Sequence, residues 1–297
     1  MSQCRICHTA PVEPSFVSLP DGRKAAYSEF GDPGGLPLIN CHGGLTSRLD
    51  MQRCHETARE VGIRIISPDR PGIGHSDDKP GRSVLDWPAD VTAITEALGV
   101  DRFAVLGWSA GGAFAAACAF ELHDCVTTVS LVASVIPGDW ADMRREINRM
   151  DRVFLRLSTA SPRVASLAFR SMGAMARHAP RAFGRLSRPS LDAPSRDVVQ
   201  NASVGEYSGP IAEGLRNAHG VLDDYRILNS PWGFDLDEIR TRVTIWQGDS
   251  DGLVPPAWGE RLAEWISSGD LRICPGEGHF MSLGRYRTIF ADVAGAF

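Results

Sequence analysis

Strand-like apolar runs alternate with amphipathic stretches along most of the chain. In the stretch 83–98, Val84, Trp87 and Val91 begin a series of apolar positions at helical spacing that ends at Gly99. The strand-like runs lie at 37–41, 63–67, 103–107, 126–132, 243–246 and 271–274. Strands that alternate with helices over short links form parallel sheets covered on both faces. The pattern therefore predicts an α/β fold with a doubly wound, mostly parallel sheet.

The sequence before the first of these runs is different in character. Residues 16–19 and 24–30 flank a Pro-Asp-Gly turn, which predicts an antiparallel hairpin. We expect residues 1–14 to form a flexible tail. Its segment 4–8 reads C-x-x-C-H, the pattern of c-type haem attachment, and it could also be half of a zinc site. We recognise no apolar export signal to accompany a haem site and no second C-x-x-C to complete a zinc set, so we interpret the pattern as chance composition.

Between residues 137 and 237 the strand-like runs disappear and helix formers dominate. We expect this segment to be a helical cap, or lid, inserted into a core formed by residues 15–136 and 238–297. Arginines are frequent in the cap and either recognise an anionic substrate or form a solvated helix face; we favour the solvated face. Large apolar side chains of the cap either line a pocket or pack within the cap, and we favour packing for most of Trp140, Met143, Phe154, Phe169, Met172, Phe183, Tyr207, Tyr225 and Trp232.

Net charge and cysteine content limit the classes of binding partner and the cellular compartment that we expect. A formal net charge of −5 and a pI near 5.9 give no reason to expect nucleic acid or an anionic membrane as a partner. The seven cysteines are an odd number scattered through a chain of 297 residues, which favours reduced thiols. We therefore expect a cytoplasmic protein. The oligomeric state stays open.

The strongest chemical signal lies at residues 103–112. An apolar run ends at Gly107, a small-residue run begins at Ala110, and Ser109 lies at the turn between them in a G-x-S-x-G pattern. A serine hydroxyl becomes a useful nucleophile only when a base takes its proton and fixed donors stabilise the developing oxyanion. A strand-to-helix turn lifts the hydroxyl off the sheet edge and directs the N–H of Ala110, at a helix N-terminus, toward that oxyanion.

The remaining groups of this chemistry also follow predicted strands. His279 lies in a glycine-flanked loop after the last strand, and we predict that it is the base. The acid that orients it is Asp249 or Asp251, both of which follow the same strand; the other one is expected to cap local N–H groups. Gly44, in the loop that follows the strand at 37–41, is expected to supply a second oxyanion donor. We read His42 as a structural residue that fixes this loop by hydrogen bonds.

Five motifs in order resemble the α/β-hydrolase fold superfamily, in the branch with a helical cap between the sixth and seventh strands. They are H-G-G at 42–44, D-R-P-G-I-G-H-S-D at 69–77, G-W-S-A-G-G at 107–112, W-Q-G-D-S-D-G-L-V-P at 246–255 and G-E-G-H-F at 276–280. The catalytic acid of that family usually stands three residues after the glycine that ends the seventh strand. The resemblance therefore implies Asp251 as the acid, and it implies structural roles for Asp69 and Arg70.

The resemblance implies acyl transfer, because relatives with other chemistry carry aspartate where this chain has Ser109. We expect a serine hydrolase that acts on a small-molecule acyl substrate with no cofactor and no bound metal, most simply an esterase of small or medium carboxylic esters. Its catalytic residues would be Ser109, Asp251 and His279, with Gly44 and Ala110 as the oxyanion hole. One alternative is an amide hydrolase of the proline iminopeptidase type, in which Glu146, Glu206 or Glu213 would bind the amino group of the substrate. Another is a ligand-binding receptor that keeps the fold without turnover.

Overall fold

The protein is described from a computed structural model, which covers residues 12–140 and 143–297. The C-x-x-C-H segment and most of the expected tail lie outside these residues. The strands are β1 (Ser15–Ser18), β2 (Lys24–Gly31), β3 (Leu36–Cys41), β4 (Ile63–Pro68), β5 (Phe103–Trp108), β6 (Val126–Val132), β7 (Val243–Gly248) and β8 (Gly269–Cys274). The helices are α1 (His55–Val61), α2 (Trp87–Ala97), α3 (Gly111–Glu121), α4 (Met143–Glu146), α5 (Arg149–Ala160), α6 (Pro162–His178), α7 (Pro180–Ser187), α8 (Ala193–Asn201), α9 (Val204–Gly214), α10 (His219–Leu228), α11 (Pro256–Trp265) and α12 (Leu283–Ala294).

The eight strands form one sheet in the order β1-β2-β4-β3-β5-β6-β7-β8. The pairs β1–β2 and β2–β4 are antiparallel, and every pair from β4 onward across the sheet is parallel. The predicted doubly wound, mostly parallel sheet and the N-terminal hairpin are confirmed. Because parallel strands end at one edge, the loops after β3, β5, β7 and β8 meet there.

Helices cover both faces of the sheet. Phe114 of α3 and Trp258 of α11 belong to the apolar core on one face, together with Ile94 of α2. Ala58 of α1 and Phe290 of α12 belong to the core on the other face. This arrangement buries the strands on both sides and leaves their carboxyl edge for the loops.

Helices α4 to α10 all lie between β6 and β7, and we call them the insertion. Their apolar stripes join the same core as α2 and α3, through residues such as Leu155, Phe169 and Val221. No helix in the part of the chain that the structure describes is long and apolar enough to cross a bilayer.

One predicted helix has a different form. The sequence predicts a helix over 48–61, whereas the structure has a 3-10 helix over Arg48–Cys54 followed by α1. The backbone N–H of Arg48 donates to Asp69 Oδ1 at 2.7 Å, and Asp50 accepts from the Asn40 side chain at 2.7 Å. These contacts, with the loop after β4 and with a side chain of β3, select the tighter geometry over the intrinsic preference for α-helix.

Candidate active site

Ser109 lies in a strained turn at the middle of the sheet edge. Its φ is +54°, in the left-handed region that side chains other than glycine rarely adopt. The turn is held by Ser109 N–H, which donates to Val132 O at 2.9 Å, and by Gly112 N–H, which donates to Ser109 O at 3.0 Å. Ala110 immediately precedes α3 as its N-cap residue. The strand, turn and helix thus follow the sequence prediction.

The glycines on either side of Ser109 are required by close packing. A Cβ at Gly107 would lie 2.6 Å from the Cβ of Ala115, and a Cβ at Gly111 would lie 1.9 Å from the carbonyl oxygen of Cys41. Real side chains do not approach other atoms so closely, so this turn cannot form without the two glycines. The G-x-S-x-G pattern is therefore a packing requirement of the turn as well as a chemical signature.

His279 meets Asp251 and not Asp249. His279 Nδ1 lies 3.0 Å from Asp251 Oδ2, and both side chains are buried. Asp251 Oδ1 accepts from the backbone N–H groups of Leu253 and Val254 at 2.8 and 2.9 Å. The exposed Asp249 instead accepts from Gly276 N–H at 2.9 Å. The structure thus places next to the imidazole the acid that the resemblance implied.

Opposing effects set the proton affinity of His279. Burial acts to lower the pKa of the imidazole, but the charge of Asp251 and its hydrogen bond outweigh burial, and more distant Asp151 and Asp192 act in the same direction. The resulting pKa lies above the ordinary 6.5. An imidazole with this environment is stabilised when it becomes charged, as a base must be after it takes a proton.

Gly44 and Ala110 lie side by side at the proposed oxyanion position. A Cβ at Gly44 would lie 3.3 Å from the Cβ of Ala110, and both residues line the same cavity as Ser109 and His279. Leu45 follows with a φ of +61°, which turns the chain sharply at this loop. The loop after β3 therefore brings its backbone against the N-terminus of α3.

His42 and Arg70 hold that loop from behind. The backbone N–H of Arg70 donates to His42 Nε2 at 3.3 Å, so the proton of the buried imidazole is on Nδ1, which donates to Gly43 O at 2.9 Å. Burial and the charge of Arg70 hold the pKa of His42 well below 6.5. The Arg70 guanidinium donates to His42 O and Gly43 O at 2.5 and 3.2 Å. Both residues touch the loop and not the cavity, which agrees with structural roles.

The Arg70 side chain is fixed by a buried ion network. Asp224, on α10, accepts from Arg70 at 2.7 Å and from Arg82 at 2.5 Å. Burial acts to raise the pKa of Asp224, but the charges of Arg70 and Arg82 outweigh it and bring the pKa to about 2. This network links the insertion to the loop that carries Gly44.

A cavity of about 450 Å³ opens at the sheet edge, with Ser109, Ala110, Gly44 and His279 in its wall. The rest of its wall is mainly apolar and comes largely from the insertion: Met143, Ile147, Met150, Leu155, Met172, Met175, Phe183, Leu186, Leu191, Tyr207, Ile211, Val221, Tyr225 and Leu228. The expectation that most large apolar side chains of the insertion pack internally is therefore wrong for Met143, Met172, Phe183, Tyr207 and Tyr225. They line the cavity because the amphipathic helices turn one stripe toward the sheet edge.

Several candidate residues lie away from the cavity. Glu146 pairs with Arg261 at 2.9 Å, Glu213 pairs with Arg48 at 2.9 Å, and Glu206 caps the start of α9. The described residues of the cavity wall include no arginine.

Ser109 Oγ makes no hydrogen bond to another described residue. Its bond to His279 Nε2 remains a prediction, because such bonds often tighten only when substrate is bound.

Three carboxylates at the site were missed by the sequence reasoning. Asp50 accepts from Gly43 N–H at 3.1 Å, Asp151 lines the cavity, and Asp192 bonds to the loop of His279. Burial raises the pKa of Asp50 to about 7, against the hydrogen bonds of Gly43 and Asn40. The Asp-Ala-Pro-Ser segment at 192–195 is a recognisable helix start, but nothing in it indicates which loop it contacts.

Comparison with known proteins agrees with the observed fold. The sequence profile of the α/β-hydrolase fold matches residues 37–286. The uncharacterized hydrolase YcgS of Bacillus subtilis (strain 168) is 25% identical over 268 residues, covering 89% of this chain and 91% of the relative. A proline iminopeptidase of Xylella fastidiosa (strain 9a5c) is 31% identical over 123 residues, which cover 40% of this chain and 38% of that enzyme. The structure of an esterase from Exiguobacterium antarcticum superposes with a TM-score of 0.67 at 17% identity, over 95% of this chain and 98% of the other. The chain belongs to the α/β-hydrolase fold family.

Proposed function

We propose that the protein is a serine hydrolase that cleaves small or medium carboxylic esters through an acyl-enzyme on Ser109. The observation that carries the proposal is the hydrogen bond between Asp251 and His279, whose side chain shares a cavity wall with the strained Ser109. A nucleophile on a sharp turn, a base and an acid that orients the base are the parts that this reaction needs.

In the proposed reaction, His279 Nε2 takes the proton of Ser109 as Oγ attacks the ester carbonyl carbon. The tetrahedral intermediate collapses, the bond to the alcohol oxygen breaks, and the imidazolium returns the proton to that leaving oxygen. A water molecule then attacks the acyl-enzyme with His279 again as base, the acid product leaves, and Ser109 regains its proton. Asp251 keeps the tautomer with Nδ1–H toward its carboxylate and stabilises the imidazolium.

The backbone N–H groups of Gly44 and Ala110 would receive the oxyanion. Both residues lie in the cavity wall beside Ser109, and Ala110 precedes the N-terminus of α3, where the helix dipole favours negative charge. Arg70, His42 and Asp50 act indirectly by holding the loop of Gly44 through its neighbours.

The apolar wall of the cavity supports an apolar acyl group as the bound part of the substrate. The wall has several methionines, whose flexible side chains adapt to irregular shapes. A cavity of about 450 Å³ falls at the size of ordinary small-molecule sites. We therefore favour esters with medium-length aliphatic or aromatic acyl groups over short polar ones.

One observation favours a second candidate, an amide hydrolase for substrates that carry an amino group. The Asp151 carboxylate lies in the cavity wall, held by Tyr225 Oη–H at 2.6 Å and by the Asn148 side chain at 2.6 Å. A carboxylate in an apolar wall could pair with a substrate ammonium. Comparing p-nitrophenyl esters with amino-acid p-nitroanilides, in the native protein and in Asp151→Asn, separates the two activities.

The test of the ester proposal is hydrolysis of a series of p-nitrophenyl esters by the native protein and by Ser109→Ala. We expect Ser109→Ala to lose several orders of magnitude in kcat/KM, with Ser230→Ala, an exposed serine at the end of α10, as the unaffected control. Equal rates in the native protein and Ser109→Ala would refute the proposal. Absence of any Ser109-dependent turnover would favour a ligand-binding receptor.

A further inference from the structure

Asp192, the residue that precedes α8 in the insertion, joins the loops of the acid and the base. Its Oδ1 accepts from Ser195 N–H at 2.7 Å and so caps the helix. Its Oδ2 accepts from His279 N–H at 3.1 Å and from Gly252 N–H at 3.2 Å. Gly252 directly follows Asp251, so one carboxylate oxygen binds the backbone of the base and the backbone next to the acid.

Ser195 adds a further contact from the same helix end. Its hydroxyl accepts from the backbone N–H of Phe280 at 3.0 Å, and the residue is fully buried. The start of α8 thus binds three backbone N–H groups in the two catalytic loops, those of Gly252, His279 and Phe280. Hydrogen bonds to an ionised carboxylate are stronger than those between neutral groups, so Asp192 carries the main part of this contact.

The loop of His279 is shaped to receive Asp192. A Cβ at Gly278 would lie 1.9 Å from Asp192 Oδ1 and 2.7 Å from Ser195 Oγ. Any side chain at position 278 would therefore displace the carboxylate. In the sequence, Gly278 is only one letter of the G-E-G-H-F motif. The structure shows that this position is glycine because Asp192 of the insertion occupies the space that a side chain would need.

We propose that Asp192 is a positioning residue for the catalytic pair, through which the insertion fixes the placement of His279 relative to Asp251. This inference rests on the proposed function for its effect on turnover. Asp192 is not a catalytic residue, because its carboxylate binds backbone N–H groups and does not line the cavity. Small displacements of a positioned base cost large factors in rate, so a residue that acts only on the backbone can still control kcat.

The charge of Asp192 provides a second, independent signature. Three carboxylates act on the imidazole of His279: Asp251 after β7, Asp151 on α5 and Asp192 before α8. All three stabilise the imidazolium and act to raise the pKa of His279 against the effect of burial. Removal of one negative charge therefore lowers that pKa, and the acid limb of the pH–rate profile moves to lower pH.

The experiment compares Asp192→Asn with Asp197→Asn, a matched change at an exposed aspartate of the same helix. Asparagine still caps helices well, so α8 keeps its start while the charge and one acceptor oxygen are lost. We expect kcat to fall about 10- to 100-fold with KM changed by less than about twofold, and the acid limb of kcat/KM to move to lower pH. Asp192→Glu should restore the position of the acid limb, and Asp197→Asn should match the native protein.

NMR titration of the His279 imidazole in the Ser109→Ala background separates failure of this inference from failure of the proposed function. A lower His279 pKa in Asp192→Asn supports the placement of Asp192 even if the native protein has no esterase activity. An unchanged titration and unchanged kcat in a folded Asp192→Asn overturn the inference. If Asp192→Asn does not fold, Asp192→Ser, which keeps a cap for α8 but removes the carboxylate, tests the same contacts. We then expect a loss of kcat and an acid limb at lower pH, and native kcat with a native acid limb would overturn the inference.

Discussion

The sheet edge and the insertion contribute to one cavity in opposite ways. At the sheet edge the backbone conformation shapes the site. Ser109 has a φ of +54°, and position 111 must be glycine because a Cβ there would lie 1.9 Å from Cys41 O. In the insertion, amphipathic helices supply an apolar wall from side chains such as Met172 and Phe183. In the proposed reaction the sheet edge therefore supplies the reacting groups, and the insertion supplies the surface against which the substrate would fit.

The comparison also shows where the two regions depend on each other. Asp192 binds the loops of His279 and Asp251, and Asp224 binds Arg70, which supports the loop of Gly44. Both carboxylates belong to the insertion and act on the sheet edge through the backbone or through another side chain. The insertion is thus part of the support of the site as well as its wall.

The largest expected effect comes from two neighbouring aspartates at the sheet edge. Asp251→Asn should lower kcat about 10⁴-fold, because the imidazole loses the acceptor that orients it. Asp249→Asn, two residues away, should retain kcat within about twofold, since Asp249 bonds to Gly276 N–H and not to His279. Steady-state ester hydrolysis by both variants measures the difference, and similar losses in both would contradict the assignment of the acid.

The second-largest expected effect is on stability. It tests whether Asp224 of the insertion supports the loop of Gly44 through Arg70. Asp224→Asn leaves Arg70 and Arg82 buried without their shared counter-ion, which should lower the free energy of unfolding by about 3–5 kcal/mol. Because the pKa of Asp224 is about 2, the native carboxylate keeps its contribution at neutral pH and loses it only as pH falls toward that value. Urea denaturation of both proteins at pH 7 measures the change; a loss below about 1 kcal/mol would mean that the network does not hold the loop.

A smaller effect, on the preference for acyl chain length, tests the apolar wall of the cavity. Met172→Ala removes part of the apolar wall and enlarges the cavity, so the ratio of kcat/KM for longer over shorter acyl chains should rise about tenfold. Leu167→Ala, at an exposed position of the same helix, is the matched control and should keep the native ratio. Hydrolysis of p-nitrophenyl esters of increasing chain length gives both ratios. A ratio that stays the same in Met172→Ala would place the acyl group elsewhere.

The smallest effect concerns pH. The base must be neutral to accept the proton of Ser109, and the pKa of His279 lies above 6.5. Activity should therefore rise with pH through a midpoint above 6.5, and Asp251→Asn should move this midpoint down because its charge no longer stabilises the imidazolium. The pH dependence of kcat/KM measures it, and a native midpoint at or below 6.5 would contradict the environment described for His279.

The same division explains what could be predicted from the sequence. Strands and the turn at Ser109 follow from local patterns, so the sheet and the position of the nucleophile were predictable. Asp249 and Asp251 were not separable by residue type or spacing from their strand, because both follow it closely; only the resemblance or the 3.0 Å contact with His279 selects Asp251. The role of Asp192 depends on a contact between residues 87 positions apart, which no periodicity records.

The insertion shows the same limit for side chains. Met172 and Phe183 occupy positions typical of either a helix core or a pocket wall, and the sequence does not say which neighbour their stripe faces. The tight 3-10 turn at Arg48–Cys54 likewise depends on bonds to Asp69 and Asn40, which lie 21 and 10 positions from their partners in the chain. Local propensity predicts where helices and strands form. Contacts with residues elsewhere in the chain determine which neighbour each helix face packs against.

The most direct test of the central claim is covalent labelling of Ser109 by a fluorophosphonate reagent, followed by peptide mass analysis. Only a serine whose proton can be taken by His279 should react quickly. We predict one phosphonyl group on the peptide that contains Ser109 in the native protein, none on it in Ser109→Ala, and labelling slowed at least ~10³-fold in His279→Ala. Absence of modification at Ser109, or equal labelling rates in the native protein and His279→Ala, would contradict an activated serine at this sheet edge.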